Sequence, residues 1–152
     1  WNVALWVVEF FRNYERLSEL EIRATTGKFM GAVGTGAAQG EDAFELQSLI
    51  MRELGLGIPV ATTQVVGRDR YIEWVGWMAN VATSVEKVLQ EVRNLQRSEI
   101  AEVAEAFDTK KQVGSSTMAH KRNPIITERM TGFARILRGN AHTKLEIIAI
   151  WN

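Results

Sequence analysis

Residues 69–101 decide the fold: Asp69-Arg-Tyr-Ile-Glu-Trp-Val-Gly-Trp-Met-Ala-Asn-Val-Ala-Thr-Ser-Val-Glu-Lys-Val-Leu-Gln-Glu-Val-Arg-Asn-Leu-Gln-Arg-Ser-Glu-Ile-Ala101. Within this stretch Tyr71, Val75, Met78, Ala82, Val85, Leu89, Val92 and Leu95 recur at near-heptad spacing, which places them on one stripe of a helix. The spacing predicts a helix from about Asp69 past Ala101. Roughly 35 residues at about 1.5 Å each make a rod of about 50 Å. A rod of that length cannot bury its stripe inside a domain of this size alone. It calls for partners of similar length, in the same chain or in other subunits.

Working outward, the pattern stays helical. Val3, Val7, Phe10, Tyr14 and Leu17 recur at steps of four and three, and predict an amphipathic helix running to about Thr25. A glycine-rich loop follows over residues 27–40. A shorter helix is expected over residues 42–54, closed by Gly55-Leu-Gly57. On the other side of the rod a last helix should begin at Asn123-Pro124. Asn is a favoured N-cap, and Pro is favoured at the first helical position while forcing its predecessor out of the α region. Ile126, Met130, Phe133 and Leu137 supply its apolar face. No alternating segment competes with these helices, and there is no internal repeat. The fold class is therefore all-α, an elongated bundle with a very long central helix.

Composition narrows the function. The chain has 152 residues, with 18 Lys plus Arg balanced by 18 Asp plus Glu, so the formal net charge is zero. That balance argues against a nucleic-acid footprint and against a polybasic membrane patch. The absence of Cys removes disulfides, thiolate metal sites and cysteine nucleophiles, and two His cannot by themselves build a metal centre. The longest apolar run, Val3 to Val8, is far shorter than a membrane span. No secretory leader is visible, and both terminal helical patterns are already running at the chain ends. The expectation is a soluble, cytoplasmic central segment of a longer protein, needing no metal or cofactor.

Two stretches could carry chemistry. The run Gly31-Ala-Val-Gly-Thr-Gly-Ala-Ala-Gln-Gly40 suggests a phosphate cradle, but a dinucleotide fingerprint needs a strand before it, and a P-loop needs Gly-Lys-Ser/Thr at its end. Neither is present, so a tight connection between helices is the expected role. The second stretch, Gly114-Ser-Ser-Thr-Met-Ala-His-Lys-Arg-Asn-Pro124, puts three hydroxyls, an imidazole, two cations and an amide into one loop before a helix. Loops at helix N-termini are natural anion sites, because free N–H groups and the positive end of the dipole point outward. Read from composition alone, it could equally be a solvated loop whose Asn123 caps the helix.

The exact string of this loop, Gly114-Ser-Ser-x-Met118-x-x-Lys121-x-Asn123-Pro124, closely resembles the signature of the fumarase/aspartase superfamily. The resemblance extends through Gly27-Lys28 to Thr35, Thr62-Thr-Gln64 with Arg68-Asp-Arg70, and Leu95-Gln-Arg-Ser-Glu99 with Glu102-Val103. It therefore covers nearly the whole chain. It implies the family's central helical domain, a homotetramer built around a large helix bundle, and active sites drawing residues from three subunits. The implied chemistry is β-elimination of fumarate from a succinyl adduct on nitrogen, with a succinylated purine nucleotide as the small-molecule substrate. Other superfamily members, acting on a carboxymuconate or on argininosuccinate, stay open, as does a non-catalytic assembly domain.

Carried over position by position, the resemblance implies Ser115 as the catalytic base. Ser116 matches a substrate-binding hydroxyl, and Lys121 and Asn123 match the pair that holds a carboxylate. Arg129 and Gln64 match further substrate contacts, and Glu128 matches a supporting carboxylate that orients the family's general-acid histidine. That histidine would lie before this chain, and a phosphate-recognising segment after it. His120 sits inside the signature without an implied catalytic role, and His142 is expected at a surface or between subunits. One position departs from the pattern: Ala119 stands where the family usually has Pro, and altered loop ordering is expected there.

Overall fold

The computed structural model describes residues 1–108, 112–118 and 120–149, and the reading of Ala119 lies outside them. Its element order is α1 (Asn2–Ala24), a short 3-10 turn (Gly40–Asp42) leading into α2 (Ala43–Glu53), α3 (Asp69–Leu95) and α4 (Ile125–Ile148). No strand forms among the described residues, where the only extended pairing is an isolated bridge between Thr26 and Gly57. The all-α expectation holds. No helix among the described residues is long and apolar enough to cross a membrane.

The rod α3 is the spine. It packs against both α1 and α4, and those two do not touch each other among the described residues. Both flanking helices run antiparallel to it. Near the start of α1, Glu9 pairs with Lys87 at 2.7 Å, and near its end Arg23 pairs with Glu73. Likewise Arg138 of α4 pairs with Glu86 at 2.5 Å, and Lys144 lies over the Tyr71 ring near the start of the rod.

α3 ends at Leu95, six residues short of the expected Ala101. Its 27 residues span about 40 Å rather than 50 Å. The last helical turn closes when the Gln96 N–H bonds the Val92 carbonyl. The chain then folds back: the Arg97 carbonyl accepts the Ile100 and Ala101 N–H groups, Glu102 N–H reaches the Leu95 carbonyl, and Ala101 takes a left-handed φ of 54°. Leu95 is the last residue of the apolar stripe, and beyond it nothing rewards continuing the helix.

A second difference concerns which faces meet. The contact between α1 and α3 is centred on Asn13, not on the apolar stripe. Asn13 Nδ2 donates to Ser84 Oγ at 3.2 Å, Asn80 Nδ2 donates to Asn13 Oδ1 at 2.9 Å, and the Trp77 indole donates to the Asn13 carbonyl at 2.9 Å. Asn13 and Ser84 are both buried. A buried amide satisfied from three sides fixes the register of two helices, since any slip would strand it without partners. The predicted stripe on α1 points elsewhere: Val3, Val7 and Tyr14 are each more than 60% exposed. On α4 the buried positions are Thr127, Thr131 and Ala134, whereas Ile126, Met130, Phe133 and Leu137 lie on exposed surface. Small residues take the buried contacts with the rod, and Met130, Phe133 and Leu137 border an open apolar groove that they share with Trp77, Met78, Val81 and Val85 of α3.

The glycine loop is a connection, as expected. Gly31, Gly34, Gly36 and Gly40 all take positive φ, and the loop closes with Gly36 N–H on the Met30 carbonyl. At Gly34 the requirement is also spatial, because a β-carbon there would collide with the Thr62 carbonyl.

Candidate active site

The two stretches singled out in the sequence lie at opposite ends of the rod. The glycine loop and residues 62–64 gather at the start of α3. Lys28 Nζ ties them together by donating to the Gly31 carbonyl at 2.6 Å and the Thr63 carbonyl at 2.7 Å. Arg70, in the first turn of α3, donates to the Arg23 carbonyl and to Thr26 Oγ1. Gln64 stands exposed at this end. The serine loop stands at the far end, joined to the close of α3 by Gln96 Nε2 donating to the Arg122 carbonyl at 3.4 Å. The rod's length of about 40 Å separates the two groups.

In the serine loop, Gly114 lies so close to the Lys121 carbonyl that a β-carbon would overlap it. The loop thus doubles back on itself, which brings the backbone on either side of Ser115 against the backbone of Lys121. Glycine is required there because no side chain fits at that crossing. Ser115 Oγ accepts the Thr117 N–H at 3.2 Å and the Met118 N–H at 3.2 Å, with Thr117 Oγ1 at 3.4 Å. Two backbone donors aimed at one hydroxyl oxygen favour negative charge on it. A turn from Lys121 N–H to the Met118 carbonyl at 3.1 Å completes the loop, and the Lys121 side chain is exposed.

Around the loop, Ser116 is exposed and Asn123 is half-buried. Asn123 does not cap α4 as expected. The capping position is Pro124, and no side chain of the cap itself bonds the helix. The start of α4 is satisfied instead from a distance. Glu105 Oε2 accepts the Ile126 N–H at 3.0 Å and Glu105 Oε1 accepts the Thr127 N–H at 2.7 Å. With Ile125 N–H on the Asn123 carbonyl and Glu128 N–H on that of Pro124, the first amides of α4 are occupied. The helix terminus is thus not an open anion site, and an anion arriving here meets side chains.

Burial pushes the Glu105 carboxyl up, but the hydroxyl and N–H of Thr127 and the N–H of Ile126 outweigh it, and the group lies below the usual glutamate range. Sequence reasoning missed Glu105 because its partners lie 21 and 22 residues away. Glu128 and Arg129 are exposed on the first turns of α4, and Glu128 faces Arg93 at 3.9 Å. Beside them a cleft of about 510 Å³ is lined by Arg93, Arg97 and Arg122 together with Gln90, Asn94 and Gln96. His120 and His142 are both exposed, and no group of three or more His, Asp or Glu converges as a metal site among the described residues.

Comparison with known proteins decides the family. The family model described as Lyase matches residues 2–139, nearly the whole chain. The chain belongs to this lyase family. The resemblance to the fumarase/aspartase superfamily is borne out by its relatives. The chain is 50% identical over 149 residues to adenylosuccinate lyase of Pyrococcus horikoshii, covering 98% of the chain and 33% of that protein. The adenylosuccinate lyase of Pyrococcus abyssi is 48% identical over the same length, again 98% of the chain and 33% of the relative. That of Synechocystis is 44% identical over 151 residues, 99% of the chain and 34% of the relative. Among solved structures, a fumarate lyase from Mesorhizobium superposes with TM-score 0.80 at 31% identity, over 97% of this chain and 31% of that one. A 3-carboxy-cis,cis-muconate lactonizing enzyme from Pseudomonas putida gives TM-score 0.83 at 29% identity, over 99% and 32%. This lyase-family chain spans about a third of the length of the relatives it matches.

Proposed function

We propose that the chain is the central helical domain of an adenylosuccinate lyase, and that it carries the base side of the active site. The observation that supports this most directly is Ser115 Oγ held by two backbone N–H groups in the loop that also bears Lys121 and Asn123. In this reading Ser115 removes a proton from the carbon next to a substrate carboxylate, and the electron pair moves into that carboxylate as an aci-carboxylate. Lys121, as a point charge, and Asn123, through its amide, hold and stabilise it. The pair then returns to form the double bond of fumarate as the C–N bond breaks, and the departing nitrogen takes a proton from an acid outside this chain. Ser116, Gln64 and Arg129 contact the substrate, and Glu128 supports the acid.

The substrates are adenylosuccinate, giving AMP, and the succinylated aminoimidazole carboxamide ribotide, both in cytoplasmic purine biosynthesis. Relatives with this activity in their names reach 50% identity, against 29% for the lactonizing enzyme, which favours the purine substrate. A homotetramer belongs to the same reading. Gln64 and Ser115 stand about a rod's length, 40 Å, apart, too far to meet on one substrate. Antiparallel rods from different subunits would bring the two ends together, and would cover the exposed apolar stripes of α1 and α4. The isolated 152-residue chain is accordingly expected to be inactive.

The test is fumarate release from adenylosuccinate by the full-length protein that contains this segment, beside its Ser115→Ala variant. Release by the parent and near-abolition in the variant supports both substrate and base. No release by a folded assembly moves the reading to argininosuccinate or a carboxymuconate, and release that survives in the variant removes Ser115 as the base.

A further inference from the structure

None of the roles assigned above uses Glu105 or Gln96, yet the two form the knot through which the serine loop leaves α3 and enters α4. Both oxygens of the half-buried Glu105 carboxylate are engaged by the Ile126 and Thr127 N–H groups, at 3.0 and 2.7 Å. The Glu105 N–H itself donates to Gln96 Oε1 at 3.0 Å. The other end of the same amide, Gln96 Nε2, donates to the Arg122 carbonyl at 3.4 Å, one residue before Asn123. The Arg122 guanidinium sits 4.2 Å above the Phe107 ring, two residues after Glu105. Gln96 therefore grips the entry and the exit of the loop, and Glu105 grips the helix that follows.

Chain physics gives this knot a consequence. Residues 105 and 126 meet in space, so the segment between them, which holds Ser115, Ser116, Lys121 and Asn123, is a closed loop. A loop pinned at its base samples far fewer conformations than one free to swing. A carboxylate at a helix N-terminus is also held by the positive end of the dipole, which makes the pin directional. Lys121 and Asn123 stand within six residues of the pinned amides, so their placement follows the pin closely.

The geometry points to Glu105 as a positioning residue for the proposed elimination: its carboxylate, oriented through Gln96, fixes the base of the serine loop and sets where Lys121 and Asn123 stand relative to Ser115. The inference rests on the lyase reading above. It also assigns work by exclusion: with the α4 amides occupied by Glu105, the substrate carboxylate is met by the Lys121 and Asn123 side chains and not by the helix terminus.

The experiment uses the full-length protein, in wild-type, Glu105→Ala and Glu105→Gln forms, with steady-state fumarate release and amide hydrogen exchange read on each. Glu105→Ala is expected to lower kcat/KM by about 10- to 100-fold, the cost of a misplacement of about an ångström. Both kcat and KM should move, at temperatures where the assembly is intact, with the Ile126 and Thr127 amides exchanging faster. Glu105→Gln keeps the shape and one acceptor oxygen, and should recover part of the loss. Unchanged kcat and KM in an assembled Glu105→Ala variant would overturn the inference and leave Glu105 as a helix cap only. If Glu105→Ala fails to assemble, Glu105→Gln decides: a several-fold loss with faster exchange supports positioning, and wild-type kinetics overturn it. A wild-type protein that releases no fumarate counts against the lyase reading, an outcome separate from an active wild type with an equally active variant.

Discussion

The two ends of α3 hold their functional loops by different physics. At the start of the rod the glycine loop is fixed mainly by close backbone contacts, with one lysine side chain across it. Gly34 presses on the Thr62 carbonyl, Gly57 N–H bonds the Thr25 carbonyl at 2.8 Å, and Lys28 bridges two more carbonyls. At the far end the serine loop is held by side chains: one carboxylate, one amide, and a guanidinium over a ring. The first arrangement resists deformation because a close backbone approach at Gly34 leaves little room to shift, with Lys28 as its side-chain tie. The second can be tuned, because its key member is titratable and its links are single hydrogen bonds. Under the proposed function, the tunable end carries the base and the rigid end supplies a binding amide to a neighbouring subunit's site.

The largest expected effect tests that division. Ser115→Ala should reduce fumarate release by roughly 10²- to 10⁴-fold, the range lost with a general base, whereas Gln64→Ala should act mainly through KM. Because the two residues stand at opposite ends of one rod, mixing subunits of the two variants should give, at low substrate, more activity than the sum of the two variants alone. Absence of any recovery in reassembled mixtures would mean that the ends serve separate sites.

The next effect separates rigidity from positioning. Gly34→Ala places a β-carbon on the Thr62 carbonyl at a φ of 79°, and should cost about 2–4 kcal/mol in urea denaturation. Gly114→Ala meets a comparable clash with Lys121, but in a loop held by side chains. It should cost less stability and yet lower turnover by about 100-fold through displacement of Ser115. Equal stability losses at the two glycines would erase the contrast between the ends.

The smallest effect is on pH. The Glu105 carboxyl lies below its ordinary value when folded, so its contribution is fully present above that ordinary value, near about 4.3, and is lost as pH falls through the folded value. Thermal melts should therefore show an acid-side loss of stability below about pH 4.3 that is smaller in Glu105→Gln. A variant whose acid limb matches the wild type would show that Glu105 is not the group responsible.

How much of this was legible beforehand follows from the range of each interaction. The helices were legible because apolar spacing and Pro124 act within a few residues. The end of α3 at Leu95, six residues before Ala101, was not legible, since Gln-Arg-Ser-Glu after it is compatible with a helix and only the fold-back bonds to Leu95 and Arg97 forbid one. The serine loop could be picked out by its string. The donors on Ser115 Oγ could not, because they depend on the turn that the loop adopts.

What the sequence determined by itself is the class of fold and a candidate loop for the chemistry: helix periodicity and a contiguous loop signature are both written locally. Which faces meet was decided only in three dimensions. The apolar stripes of α1 and α4 stay largely exposed, while Asn13, Ser84, Thr127 and Thr131 take the buried contacts. The reason is that periodicity records a face that needs covering without saying what covers it. Close approach of α1 and α4 to the rod selects small and hydrogen-bonding residues at the contacts. The cap of α4 has the same origin, since a carboxylate 21 residues upstream becomes its partner only when the chain folds back.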